Sequence, residues 1–392
     1  MEHASPQQLQ NVLVGKLEAI AELTELLVEE ESPTSAGEGV AAVLALFERR
    51  LRTIGFVTRS IDVGLVAPVL DAVLEFGPGP TVLVLGHADT VWPSGTGVDW
   101  RFARANGRWS GPGVGDMKAC LVLAAAALEA LLEVAPPNAG SVRFLVIPDE
   151  EAGSAASRQT IEEAASTAAA CLTLEAARPN GGLVTSRGAV GAMHLESFGV
   201  ACHVTDPGPH QNALTPLVAV ATALTELSHH GATANIGVLS GGSARQIVPE
   251  SAEAWIDLRA VTTEAAEELA AAVSDCLAQA CAVEGVEFVV TGGVTRPAFP
   301  RMPGTVELYE RAAATALVLD TSLVEVAERG GSDASFAAAL GVPTLDGLGP
   351  ICHGSCSREE WIEEDSLAVY GAIFADLVQC VLAGALCAST KP

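Results

Sequence analysis

LGHADTVWPSGTGVDWRFARANGRWSGPGVGDMK, residues 85–118, is the stretch whose reading decides the fold. It opens at the end of an apolar run, residues 81–85, that is short enough for a buried strand and is closed by Gly-His-Ala-Asp-Thr. His87 and Asp89 stand two residues apart, so strand alternation points both side chains to the same side at the carboxyl end. In an open α/β sheet that end is where ligands bind. The stretch closes on Gly-Pro-Gly-Val-Gly-Asp116-Met-Lys, and an apolar run of helical length begins at once, which puts Asp116 at a helix entrance. An imidazole and a carboxylate delivered to one place by two backbone segments suit a metal centre.

Working outward, the same pattern repeats. The apolar run 141–147 leads into Pro148-Asp149-Glu150-Glu151, and the run 169–174 ends in Glu175. Three apolar strands thus terminate in His87/Asp89, Glu150/Glu151 and Glu175, as expected when parallel strands gather their ends along one edge. Helical spacing marks residues 7–31, 36–54, 118–134, 154–167 and 304–319 and a long closing helix from about 359, with further strands at 56–63, 70–76 and 342–345. From residue 186 the texture changes to strand (189–204), helix (216–230), two strands (235–248 and 253–260), helix (264–283) and strand (286–290), a ferredoxin-like α+β order. The expected fold is therefore α/β: a mainly parallel-sheet catalytic domain, residues 1–185 and 298–392, with an α+β unit inserted at 186–297.

Composition narrows the function. With 392 residues, 49% hydrophobic and 18% charged, the chain has material for a sizeable core. A formal net charge of −27 would repel phosphates, which argues against nucleic acid or an anionic membrane as partner. Nine cysteines without framework spacing, and no basic-plus-apolar signal segment at the amino end, point to a reducing compartment, the cytoplasm by default. Residues 120–134 are too few to span a bilayer, and residues 367–388 carry Asp376 and Gln379 in mid-run; both read as buried core helices.

Singly, each site candidate has a plainer reading. His87 could be an ordinary strand histidine, Glu150-Glu151 a solvated turn, and Asp116 a helix cap. Their common topological edge shifts the balance. One histidine with several carboxylates suits zinc, or two zinc ions sharing a bridging carboxylate, with one unligated acid left as general base for hydrolysis of an amide.

The motifs Gly86-His87-x-Asp89-Thr90-Val91, Gly111-Pro-Gly-x-x-Asp116-Met-Lys, Asp149-Glu150-Glu151-x-Gly-Ser, Glu175 and Gly330-Gly-Ser-Asp333 occur in that order over nearly the whole chain. In this the chain resembles the two-zinc family of glutamate carboxypeptidase, aminoacylase and succinyl-diaminopimelate desuccinylase. The resemblance implies that His87 and Glu175 bind one zinc, Glu151 the other, Asp116 bridges both, Glu150 handles the proton of the attacking water, and Asp89 orients His87. It implies two zinc ions per subunit, with cobalt or manganese as possible substitutes, and a homodimer formed through the inserted unit as lid and dimerisation domain. His203 resembles the lid histidine that reaches the partner's active site to stabilise the oxyanion, although alone it reads as an ordinary strand histidine. Arg259, Arg296, Gly331 and Ser332 resemble groups that recognise the carboxylate of a small-molecule substrate, and either arginine could instead be a surface ion-pair partner.

Two departures stand out. The family's usual last ligand is a histidine, whereas the segment here reads Gly347-Leu-Gly-Pro350-Ile-Cys352-His353-Gly-Ser-Cys356-Ser-Arg-Glu-Glu360-Trp361, with Cys356 at that place and His353 three residues early. Three readings stand open: a Cys356 thiolate serves as zinc ligand, His353 loops inward to replace it, or the second metal is weak or missing and the scaffold performs amide formation, acyl transfer or ligand binding. The lid asparagine of the family is Gln246 here, one methylene longer.

Overall fold

The computed structural model describes residues 3–206, 210–227 and 231–386, with the backbone alone for 225–227. The chain divides into two compact units: Met1–Ser186, Arg301–Ala327 and Ser332–Pro392 in one, Arg187–Pro300 with Glu328–Gly331 in the other. The junctions fall within three residues of the expected ones, but the return of Glu328–Gly331 to the second unit has no sequence signature. It is made by hydrogen bonds: Gly188 N donates to Glu328 O at 3.1 Å and Arg187 Nη1 to Gly330 O at 3.0 Å.

The first unit is built on a six-stranded sheet whose spatial order is Val57–Ile61, Val69–Gly77, Gly140–Ile147, Thr81–His87, Ala170–Thr173 and Thr344–Leu345. The last four strands of that order run parallel and the first two pair antiparallel, so the sheet is mixed. Thr81–His87 lies in the middle. Its alternation feeds both faces: Val82 and Val84 pack into the core under the Ala119–Val134 and Glu364–Leu382 helices, while Leu83 and Leu85 pack with Leu145, Ile147, Ile161 and Phe336 on the other face. All four are fully buried, and burial of each such side chain is worth about 1.5–3 kcal/mol. That burial on both faces is why the run shows no polar alternation.

Several expectations change in detail. The region read as one helix over 7–31 is two, Pro6–Gly15 and Leu17–Glu29, parted at Lys16. The closing helix begins at Glu364, not 359, because Trp361–Glu363 is a strand that pairs with Arg108–Ser110. With Ala103–Ala105 and Cys352–His353 these form a small four-stranded sheet that the sequence pattern does not announce. The Glu364–Leu382 helix is long and apolar enough to cross a membrane, but 89% of its apolar window is buried in the protein. Asp376 in that helix meets Arg311 and Thr315, and Gln379 bonds to Ala4.

The second unit has the order Ala189–Phe198, Leu214–Leu227, Ala232–Gly241, Ser251–Ala260, Thr263–Glu284, Glu287–Arg296. The last three residues of the helix expected over 216–230 lie outside the described residues. Its sheet is fully antiparallel, with Ala189–Phe198 and Ser251–Ala260 as the central strands, which is the ferredoxin-like arrangement. Strand alternation is plain along Ser251–Ala260, where Ala252, Ala254, Ile256, Leu258 and Ala260 are buried with Leu269, Val273 and Leu277 of the long helix.

Candidate metal centre

His87 is the last residue of the central strand. The chain can only reach it through a glycine: a Cβ on Gly86 would meet Leu121 Cδ2 at 2.7 Å and Met117 Sδ at 3.1 Å. The imidazole is 1% exposed and lies between two acids. Its Nε2 is 3.1 Å from Asp116 Oδ1, and its Nδ1 is 3.0 Å from the carbonyl oxygen and 3.4 Å from the carboxylate of Asp89. Burial alone would lower the imidazole's pKa, but the two acids raise it well above its ordinary value.

Asp89 also organises the neighbouring strand end. Its Oδ1 accepts the amide of Glu150 and its Oδ2 that of Glu151, both at 3.1 Å, and Thr34 Oγ1 donates to Oδ2 at 2.6 Å. One buried carboxylate therefore positions the His87 ring and both adjacent glutamates.

Asp116 is not a helix cap. It sits in the wide turn Val114–Lys118, with non-helical φ/ψ at Asp116 and Met117, and the regular helix starts only at Ala119. Glu360 holds that turn by accepting the amides of Gly115 at 2.8 Å and Asp116 at 3.2 Å. Asp116 Oδ1 faces His87 while Oδ2 accepts from Ser355 Oγ at 3.2 Å and Cys356 Sγ at 3.1 Å. Cys356 has φ 58°, a left-handed conformation uncommon for a cysteine.

Donor atoms of His87, Asp116 and Glu151 all lie within 4.8 Å of one another. Ligands about 2.0–2.3 Å from a common ion span a space of that size. The chemistry of the donors fits a cation as well. Glu151 Oε1 is buried with no hydrogen-bond partner, and burial, followed by the charge of Asp116, pushes the Glu151 carboxyl up to about 8. Among the described residues no lysine or arginine is ion-paired with Asp116, Glu151 or Glu360. Lys118 is buried here, but its ammonium donates to Glu30 O at 2.7 Å. Glu150 is buried beside this group, and Glu175, half-buried, adds its negative charge to the field that raises Glu151.

The two candidates for the last ligand are placed differently. Cys356 touches Asp116, whereas the His353 ring is stacked on Trp361 at 4.1 Å and its Nε2 is 2.8 Å from Glu363 Oε1. His353 thus does not loop inward to the acids; the short strand pairing of Cys352–His353 with Trp361–Glu363 holds it on the small sheet.

In the second unit, His203 is exposed, with Nδ1 2.7 Å from Thr205 Oγ1, and Gln246 accepts the amide of Val204 through its backbone oxygen at 3.0 Å. Arg259 is engaged by its strand neighbour Asp257 through two bonds of 2.8 and 2.9 Å, the surface ion-pair reading. Arg296 is 9% exposed and lies against Gly331, where a Cβ would meet Arg296 Cδ at 2.9 Å. Ser332 is fully buried and its hydroxyl accepts the amide of Ala334 at 3.2 Å, at the start of the short Ala334–Ala339 helix. Sequence reasoning missed Thr34, Arg187 and Ser355 as supports; none stands in a motif, and only the folded chain brings them to these positions.

A sheet with parallel strand ends that converge on a cation-sized acid cluster, joined to an inserted ferredoxin-like unit, defines the class: a metal-dependent hydrolase acting on amide bonds. The family model described as peptidase family M20/M25/M40 matches residues 83–379, and the chain belongs to that family. It is 29% identical over 348 residues to carboxypeptidase G2 of Pseudomonas sp. (strain RS-16), covering 84% of this chain and 81% of the relative. It is 29% identical over 315 residues to succinyl-diaminopimelate desuccinylase of Dinoroseobacter shibae, covering 75% and 82%. Its fold matches the M20 family metallo-carboxypeptidase of Sulfolobus solfataricus with TM-score 0.76 at 16% identity, over 95% of this chain and 99% of that one.

Proposed function

We propose that the chain hydrolyses the amide bond of an N-acyl amino acid or small peptide that carries a free carboxylate, using two zinc ions, with cobalt or manganese able to stand in. The observation that carries this reading is the convergence of His87, Asp116 and Glu151 with a partnerless carboxylate oxygen among them. The names of two relatives, a carboxypeptidase and a desuccinylase, support this substrate class.

In this reading His87, Asp116, Glu151, Glu175 and Cys356 would hold the metals; the two carboxylate oxygens of Asp116 face His87 and Cys356. Bound divalent ions supply Lewis acidity toward the amide carbonyl and lower the pKa of water. Glu150 takes the proton of the attacking water and returns it to the leaving nitrogen. Asp89 keeps Glu150 in register by holding its amide and keeps His87 in one ring orientation through Nδ1. Arg296 and Gly331 receive the substrate carboxylate, and His203, with Gln246, serves a second copy's site in a homodimer formed through the inserted unit. The eight cysteines among the described residues are free, which suits a reducing cytoplasm.

Metal analysis of freshly purified protein, together with release of free amino acid from a panel of N-acyl amino acids, tests the reading. We expect close to two zinc equivalents per chain and turnover restricted to substrates with a free carboxylate. A protein that neither retains zinc nor cleaves any member of the panel would remove it. Light scattering tests the dimer separately.

A further inference from the structure

A cavity of about 460 Å³ opens beside the Ser355–Glu360 loop and is lined by Trp100, Arg108, Arg358, Glu359, Glu360 and Trp361 among others. Its arginines differ from those that meet an acid. In a protein with 48 acidic against 21 basic residues, guanidinium groups readily find carboxylates, as Arg50, Arg59, Arg104 and Arg311 do. Arg108 and Arg358 have no ion-pair partner among the described residues and rest on indole rings instead. The Arg108 guanidinium lies 4.0 Å from the Trp361 ring centroid, and His353 stacks on the same ring at 4.1 Å and 4°. Two groups at that distance can share one ring only from opposite faces, so Trp361 is clamped between them. Arg358 lies 5.6 Å from Trp100 and 5.8 Å from Trp92, whose rings meet edge to face at 4.9 Å.

Aromatic support orders a guanidinium fork without neutralising it, so the cost of fixing the side chain is met before any ligand arrives. Two such forks in one cavity can take a carboxylate, and the half-buried Trp100 ring offers a flat apolar face next to them. We propose that this cavity is a binding site for the carboxylate of a small planar aromatic acid. The site shares the loop that carries Cys356, and Glu360 in its lining also holds the amide of Asp116, so it borders the metal centre without using its ligands.

Calorimetric titration of the metal-loaded protein with benzoate, cyclohexanecarboxylate and benzyl alcohol separates charge from flatness. Benzoate is expected to bind about fivefold or more tighter than either control, and Arg108→Gln with Arg358→Gln to weaken it about tenfold, the loss of a charge-assisted hydrogen bond. Both arginines are exposed, and an unchanged circular dichroism spectrum confirms the fold of the double variant. Equal affinity for benzoate and cyclohexanecarboxylate overturns the aromatic part of the proposal. Benzoate binding that is unchanged in the double variant overturns the site, because the acid then sits at the metals. If benzoate competes with an N-acyl amino acid and the competition is lost in the double variant, the site receives the substrate's own acyl half; binding without inhibition marks a separate ligand. The titration needs no turnover, so its outcome is independent of the substrate class proposed above.

Discussion

Asp71 and Asp376 are as deeply buried as Asp89 beside His87, yet they carry their countercharge with them. Asp71 accepts two bonds from Arg143, both at 2.9 Å, and one from Arg59 at 2.8 Å. Asp376 accepts two from Arg311 at 2.7 Å, with Thr315 at 2.6 Å and Gln379 at 2.8 Å completing its shell. At the metal centre Asp116 and Glu151, less deeply buried, have no lysine or arginine paired with them among the described residues, where the one basic side chain against Asp116 is a histidine. Burial would raise the carboxyls of Asp71 and Glu151. At Asp71 the two arginines more than cancel it and hold the group below its ordinary value, whereas Glu151 is left at about 8. The difference teaches what each region is for: an acid closed off by arginine is finished as structure, and a group of acids left short of positive charge is built to receive a cation.

The sharpest way to break the contrast is at Glu150. Glu150→Gln is expected to lower kcat by about 10²–10⁴-fold with zinc content unchanged, while Asp376→Asn leaves kcat per folded molecule within about twofold. A Glu150→Gln enzyme that keeps full activity would show that the acid cluster does not move the water's proton. Next comes the arginine side. Arg311→Ala strands a buried carboxylate and should destabilise the fold by about 2–3 kcal/mol in urea denaturation, toward the low end for a broken pair because the guanidinium is 38% exposed. Zinc content should not change.

Cys356→Ser is a smaller perturbation. It is expected to lower the affinity for one metal by about 10–100-fold, read as a drop in zinc stoichiometry under mild chelation, with His353→Ala having no such effect. Equal losses from both variants would place His353 at the metals after all. The smallest effect is a pH trend. Because the folded pKa of Asp71 lies below its unfolded one, the stabilisation it contributes is complete above the unfolded value and drains away as pH falls through the folded one. The stability gap between the wild type and Asp71→Asn should therefore narrow between about pH 5 and pH 3, and a gap that stays constant would show that the arginines do not perturb this acid.

Much of the first unit could be read from the chain because burial on both faces leaves an unbroken apolar run, and two of the three such runs lead into His87 and Glu151, which meet Asp116. Asp116 stands at the entrance of the Ala119–Val134 helix, but in a wide turn and not as its cap. Its glycine-rich approach marks a turn, and nothing local says whether that turn is a cap or the wide loop held by Glu360. Arg259 shows the opposite limit: an arginine two residues after Asp257 on one strand face has a local partner available, and it takes it.

By itself the sequence determined the order of the elements, the inserted unit and the edge where the acids gather, since periodicity and strand termini are local properties of the chain. Only the tertiary structure set Cys356 against Asp116 and His353 against Trp361, brought the Ser332 hydroxyl to the amide of Ala334, and put Arg108 on Trp361. Those outcomes depend on which groups far apart in the chain come within about 4 Å of each other, and the interactions that settle such contests are too short-ranged for any single segment to announce them.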